Sequence, residues 1–147
     1  MSTLADEKIS LQEIQDRFAI ADLYDRQLAA IEAFDFVAYD TTFANDAKLD
    51  LSDFGLQPCE YPEYRAWLVE MKPVMVNAQR IIGGLRLELE GDRAVTRVPV
   101  SCHVIMSSQG KQKLTHTGVF YNDLLERGSA GWRISSRREE LSWADGM

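Results

Sequence analysis

AQRIIGGLRLELEGDRA, Ala78 to Ala94, decides the fold, because the spacing of apolar residues changes period inside it. Leu85, Leu87 and Leu89 alternate with Arg86, Glu88 and Glu90, the period of two residues that marks a half-buried strand, and Gly91-Asp92 then turns the chain. The alternation continues downstream. Val98, Val100, Cys102 and Val104 share one strand face, with Arg97, Ser101 and His103 on the other. Gly110 makes the next turn, LTHTGVFYNDLLE reads as a third long strand, and in WRISSRREELSW Trp132 and Ile134 lie opposite Arg133 and Ser135. Upstream of Arg80 the period is helical: Tyr64, Trp67, Leu68 and Met71 recur at turn spacing until Pro73 ends or kinks the helix. Gly83-Gly84, between the two regimes, reads as a bulge or a close backbone approach.

The N-terminal third is also helical. Ser10 and Glu13 form a capping-box pattern, so the first helix runs from about Ser10 to about Ala33. At about 100° per residue, Leu11, Ile14, Phe18, Ile20, Ala21, Leu28 and Ile31 fall in one broad arc, with Asp16, Asp22 and Arg26 across from it. Glu32 projects at the angle of Ile14 and Asp25 about 20° away, so both carboxylates are expected at or near the buried side. Asp35 caps a second, shorter helix through Phe36, Tyr39 and Phe43. Leu49 and Leu51 alternate with Asp50 and Ser52 in a short strand that ends at Gly55. Helices first and antiparallel strands afterwards give an α+β protein with its helices packed on one face of a curved sheet.

With 147 residues, 46% of them hydrophobic, the chain is expected to form one domain over residues 1–147, with residues 1–9 a flexible N-terminus. The sequence contains no apolar run of about 18 residues and no secretory leader, which points to a cytoplasmic protein without a membrane span. A formal charge of −7 leaves no basic stripe for phosphates, so nucleic acid and anionic membrane are poor partners. Cys59 and Cys102 have neither CxxC nor Cys/His spacing and read as ordinary thiols. With two histidines and no HxH or HExxH, no metal is expected. Nor does a phosphate-binding loop or a GxSxG elbow occur, so the chain is read as cofactor-free.

The order of AIADLYDRQLAAIEAFDFVAYDTTFANDAKLD, AQRIIGGLRLELEGDRA and GVFYNDLLERGSAGWRISSR resembles the SnoaL-like polyketide cyclase and scytalone dehydratase-like group of the nuclear transport factor 2-like superfamily. The resemblance spans roughly residues 12–146. It implies a cone-shaped barrel, in which a strongly curved, mainly antiparallel sheet encloses about three N-terminal helices and an apolar pocket. It also implies a homodimer through the open face of the sheet. In the dehydratase-like members an aspartate near the end of the first helix pairs with a histidine that opens the strand after the third. Glu32 occupies the first of those positions, Arg80 the second, and His103 matches a further histidine of the scytalone dehydratase pattern. Gln27 stands where some members carry a tyrosine.

On these grounds Glu32, Arg80 and His103 are the candidate catalytic residues. Glu32 would move a proton, Arg80, which stays protonated, would hold an oxygen, and His103 would titrate beside them. Gln27, Phe54, Trp67, Met71, His116 and Tyr121 are the candidate substrate-binding residues, Phe54, Trp67 and Met71 being side chains suited to an apolar ligand. The expected activity is cofactor-independent acid–base chemistry, a dehydration, isomerisation or cyclisation of a small apolar carbonyl compound. The alternative is a non-catalytic binding protein or accessory subunit of the same fold, which the absence of a histidine at position 80 favours.

Overall fold

A computed structural model describes residues 8–146; most of the expected flexible segment 1–9 lies outside them. Three helices, α1 (Leu11–Glu32), α2 (Phe36–Asp40) and α3 (Tyr61–Met71), pack against a curved sheet of seven strands. The strands are β1 (Phe43–Asp50), β2 (Cys59–Glu60), β3 (Met75–Ile82), β4 (Arg86–Glu90), β5 (Arg93–Ser108), β6 (Lys111–Gly128) and β7 (Gly131–Asp145). Their order is β2-β1-β7-β6-β5-β3, with β4 also on β5; all pairs are antiparallel except β1 with β7. The path has two ends, so the sheet is a curved open wall and not a closed barrel.

Local signals place the elements. The Ser10 hydroxyl accepts from the Glu13 N–H at 3.1 Å and the Asp35 carboxylate from the Ala38 N–H at 3.1 Å, so both expected caps form. Phe43, expected on the second helix, instead opens β1, and β3 begins at Met75, five residues before the period change. Gln109 and Gly110 both take positive φ, 52° and 76°, the geometry that a two-residue hairpin turn between β5 and β6 requires. At Gly83 the backbone N–H donates to the Pro99 carbonyl at 2.8 Å, and a Cβ there would lie 2.9 Å from Pro99 Cγ. Gly83 is thus the point of close backbone approach, while a Cβ at Gly84 would meet nothing within 4 Å.

The phase of α1 differs from the expected one. Its buried stripe is Asp16, Ile20, Leu23, Tyr24, Gln27, Leu28, Ala30 and Ile31, while Leu11, Ile14 and Phe18 are exposed at 70%, 53% and 78%. Asp16, expected across from the core, is buried because it accepts from Trp132 Nε1 at 3.2 Å and pairs with Arg127. Asp25 is exposed. A guanidinium from β6 and an indole N–H from β7 outweigh the apolar pull of Phe18.

Beneath the sheet's inner face lies a buried polar cluster. Arg137 donates twice to Asp123, at 2.9 Å each, with both side chains at most 1% exposed. The Tyr24 hydroxyl donates to Asp123 at 2.5 Å and lies 2.6 Å from Thr96 Oγ1. Burial, and then the Asp123 charge, hold the Tyr24 phenol well above its ordinary range, so it remains a donor.

Candidate active site

Strand alternation decides which side chains face the helices. On β5 these are Val98, Val100, Cys102 and Val104, as expected; their β6 partners are Tyr121, Val119, Thr117 and Thr115. On β7 the alternation breaks. Leu124 pairs with Ser136 but Leu125 with Ile134, a bulge that places two residues where one belongs. Ile134 and Arg137 are therefore both buried, and Glu139 follows Arg137 onto the inner face beside its cross-strand partner Tyr121. Counting by twos from Ile134 would have put Arg138 and Glu140 inside.

Between this wall, α1, α3 and the 3-10 turn Ser52–Phe54 lies a cavity of about 290 Å³. Phe54, Leu56, Trp67, Leu68, Met71 and Met75 are among its apolar lining, and Gln27, Tyr39, Tyr64, Arg80, Tyr121 and Glu139 are among its polar lining. Burial pushes the phenols of Tyr39, Tyr64 and Tyr121 up, so all three stay protonated at neutral pH. The Cys102 thiol is likewise pushed up by burial. Burial also lifts the Glu139 carboxyl above its ordinary value; Arg137 and Arg80 pull back, and Asp123 adds to the rise. Neither Arg80 nor Glu139 forms a salt bridge among the described residues. The cavity therefore holds an unpaired guanidinium and a carboxylic acid whose proton is unusually well retained.

Of the residues expected at the site, Gln27, Phe54, Trp67, Met71, Arg80 and Tyr121 are brought together here. Glu32, His103 and His116 are not. The Glu32 carboxylate accepts the Arg80 backbone N–H at 2.6 Å. Because β3 ends the strand order, Glu32 satisfies an edge donor that lacks a neighbouring strand, and it meets the Arg80 main chain, not its guanidinium. His103 alternates with Cys102 and so lies on the outer face, where its ring stacks 3.8 Å from His116. His116 bonds Ser101 Oγ at 3.0 Å and meets the edge of Trp143 at 4.5 Å. Among the described residues no three His, Cys, Asp or Glu side chains gather as a metal site.

Sequence reading missed Glu139, Tyr39 and Tyr64 as site residues. For Tyr64 the helical spacing with Leu68 and Met71 was a usable signal; for Glu139 none existed, since only the bulge turns it inward.

This architecture, an open curved sheet cupping three helices around one apolar cavity, is that of the nuclear transport factor 2-like superfamily. Residues 12–138 match the SnoaL-like domain, and the chain belongs to that family. A Mycobacterium tuberculosis protein of uncharacterised function is 28% identical over 131 residues, covering 89% of this chain and 88% of its own. A hexachlorocyclohexane dehydrochlorinase from Novosphingobium barchaimii superposes with a TM-score of 0.80 at 21% identity, covering 93% of each chain. A protein from Novosphingobium aromaticivorans, described as a candidate scytalone dehydratase, gives a TM-score of 0.79 at 10% identity, covering 91% of this chain and 89% of that one. These likenesses establish a fold that small-molecule enzymes use. No described helix is long and apolar enough to cross a membrane.

Proposed function

We propose that the protein is a cofactor-independent acid–base enzyme that isomerises, dehydrates or cyclises a small, mostly apolar carbonyl compound in the cavity. Glu139 takes the proton-moving role first expected of Glu32, and Arg80 keeps the role of holding the oxygen. The observation that carries this is the Glu139 carboxyl, held above its ordinary titration range on an apolar wall that it shares with an unpaired arginine. As base, ionised Glu139 removes a proton from the carbon beside the carbonyl, and the C–H electron pair moves onto the carbonyl oxygen. Arg80 stabilises the resulting enolate charge. Where the enolate is conjugated with a C=C bond, returning that proton to the far carbon completes an isomerisation. Where a β-hydroxyl is present, the enolate electrons form the new C=C bond as the C–O bond breaks, and the proton leaves with the hydroxyl as water. A raised pKa makes the same carboxyl an effective acid for the return step.

The test is a panel of cyclic ketones, enols and hydroxy-carbonyl compounds, screened for binding and then for turnover. Glu139→Gln keeps shape and hydrogen bonding but cannot ionise, so binding should survive while turnover falls about 100-fold or more. Glu32→Gln should leave turnover within a few-fold. If Glu139→Gln turns over a substrate as fast as the wild type does, the proposal is wrong.

A second reading, a binding protein or accessory subunit, is favoured by one fact: both histidines lie on the outer face, so no imidazole reaches the cavity. A ligand that binds tightly and is recovered unchanged after long incubation would decide for it. We further propose a homodimer through the outer face, where Ile81, Leu114 and Trp143 are 55%, 58% and 46% exposed.

A further inference from the structure

Gln27 sits on α1 with 1% of its surface exposed, and it is a wall residue of the cavity. The Thr42 hydroxyl donates to the Tyr39 carbonyl at 2.7 Å, which leaves Thr42 Oγ1 only an acceptor role toward its other neighbour. That neighbour is Gln27 Nε2, donating at 2.8 Å. The amide orientation is therefore fixed by Thr42: the nitrogen faces the threonine and Oε1 is the atom left over. Gln27 Oε1 is buried and accepts no hydrogen bond from the protein. A buried acceptor without a donor is an expensive feature in a fold, and a cavity wall is where a ligand can supply the donor. Arg80, also on the wall, presents the opposite polarity, donors without an anionic partner.

The cavity's size limits what can bridge the two. About 290 Å³ is close to twice the roughly 150 Å³ that encloses one benzene ring, so one substituted ring or a small fused pair fits. Lining of Trp67, Met71, Leu68 and Phe54 suits the body of such a ring.

We propose that the ligand class is a one- or two-ring carbonyl compound bearing a separate hydroxyl or N–H group, with that group donating to Gln27 Oε1 and the carbonyl oxygen accepting from Arg80. This rests on the reading above that the cavity is the functional site, and it adds the second polar group that the ligand carries. Gln27 then sets specificity: it selects hydroxylated compounds over their deoxy and ether counterparts, and it orients the ring so that the other end meets Arg80.

The experiment is calorimetric binding of hydroxyacetophenones and hydroxyindanones with the hydroxyl at each ring position, each compared with its unsubstituted and methoxy counterparts. A hydroxyl can donate, whereas a methoxy oxygen can only accept. For at least one ring position the hydroxy compound should bind the wild type about tenfold or more tightly than the methoxy compound. Gln27→Met keeps the length and apolar fit of the side chain but removes the acceptor, and it should reduce that ratio to near one. The wild-type ratio stands without the variant, should Gln27→Met fold poorly. Equal binding of hydroxy and methoxy compounds at every position, or a ratio unchanged in a folded Gln27→Met protein, overturns the inference. Binding and turnover separate the two proposals. A hydroxyl preference with no turnover supports this inference while sinking the enzyme; turnover that depends on Glu139 with no hydroxyl preference does the reverse.

Discussion

Glu139, the proton-moving residue proposed above, also bears on stability. Its folded-state carboxyl titrates above the ordinary value of 4.5, chiefly through burial. The fold therefore prefers the protonated form: no penalty exists below the ordinary carboxylate range, and one develops as pH rises from there through the folded pKa. Glu139→Gln removes the group that develops that penalty. The variant should melt at a higher temperature than the wild type at neutral pH, and the difference should shrink as pH falls below the carboxylate range. Thermal melts at the two pH values check this, and an equal shift at both would contradict it. Glu32, by contrast, was read in sequence as an inward-angled acid at the position of the dyad aspartate. Its partner, a main-chain N–H at the sheet edge, belongs to a strand 48 positions away.

Among the elements, β7 and the β3–β4 connection show how backbone irregularity positions the site. The Ser135-Ser136 bulge turns Arg137 and Glu139 inward, and without it both would face outward with no cavity to enter. At the other end of the sheet, Gly83 lets the chain leave β3 against the Pro99 ring. Gly83→Ala would drive a Cβ to 2.9 Å from Pro99 Cγ, whose ring is fixed to the backbone of β5 and can yield little. Urea denaturation should show a loss of about 1–3 kcal/mol, the scale of overpacking in a rigid site. A midpoint unchanged from wild type would mean that the strand crossing is looser than its geometry implies. For α1, length and cap were legible, while its rotation was not: Phe18 and Ile14 carry as much apolar weight as Ile20 and Leu23, and only contact with β6 and β7 chooses between the two faces.

For the whole molecule, Arg137 and Asp123 tie β6 to β7 under the cavity, and Tyr24 ties α1 to β6 through Asp123 and to β5 through Thr96. Asp123→Asn would strand a fully buried guanidinium, so the folded state should lose about 3–5 kcal/mol in equilibrium denaturation. A loss below about 1 kcal/mol would mean that water or a rearranged partner compensates the charge. The outer face of the same sheet carries the proposed dimer. Light scattering should return twice the 16.7 kDa chain mass, and Leu114→Glu should shift it toward one chain. A single-chain mass for the wild type at all accessible concentrations would remove the dimer.

The sequence by itself determined what depends on neighbours in the chain. The two helix caps need residues three apart; the change from helices to strands, though not its exact position, the hairpin turns and the inward set of β5 follow from local period and turn chemistry. Arg80 and Gln27 were named through the family resemblance, and Phe54, Trp67 and Met71 as side chains suited to an apolar ligand; with Tyr121 they line one cavity. Only the tertiary structure decided which face of α1 is buried, that His103 and His116 stack outside, and that Glu139 turns inside. Each of these is set by a contact or bulge between distant segments, and a one-residue change in pairing register sends every following side chain to the opposite face of the sheet.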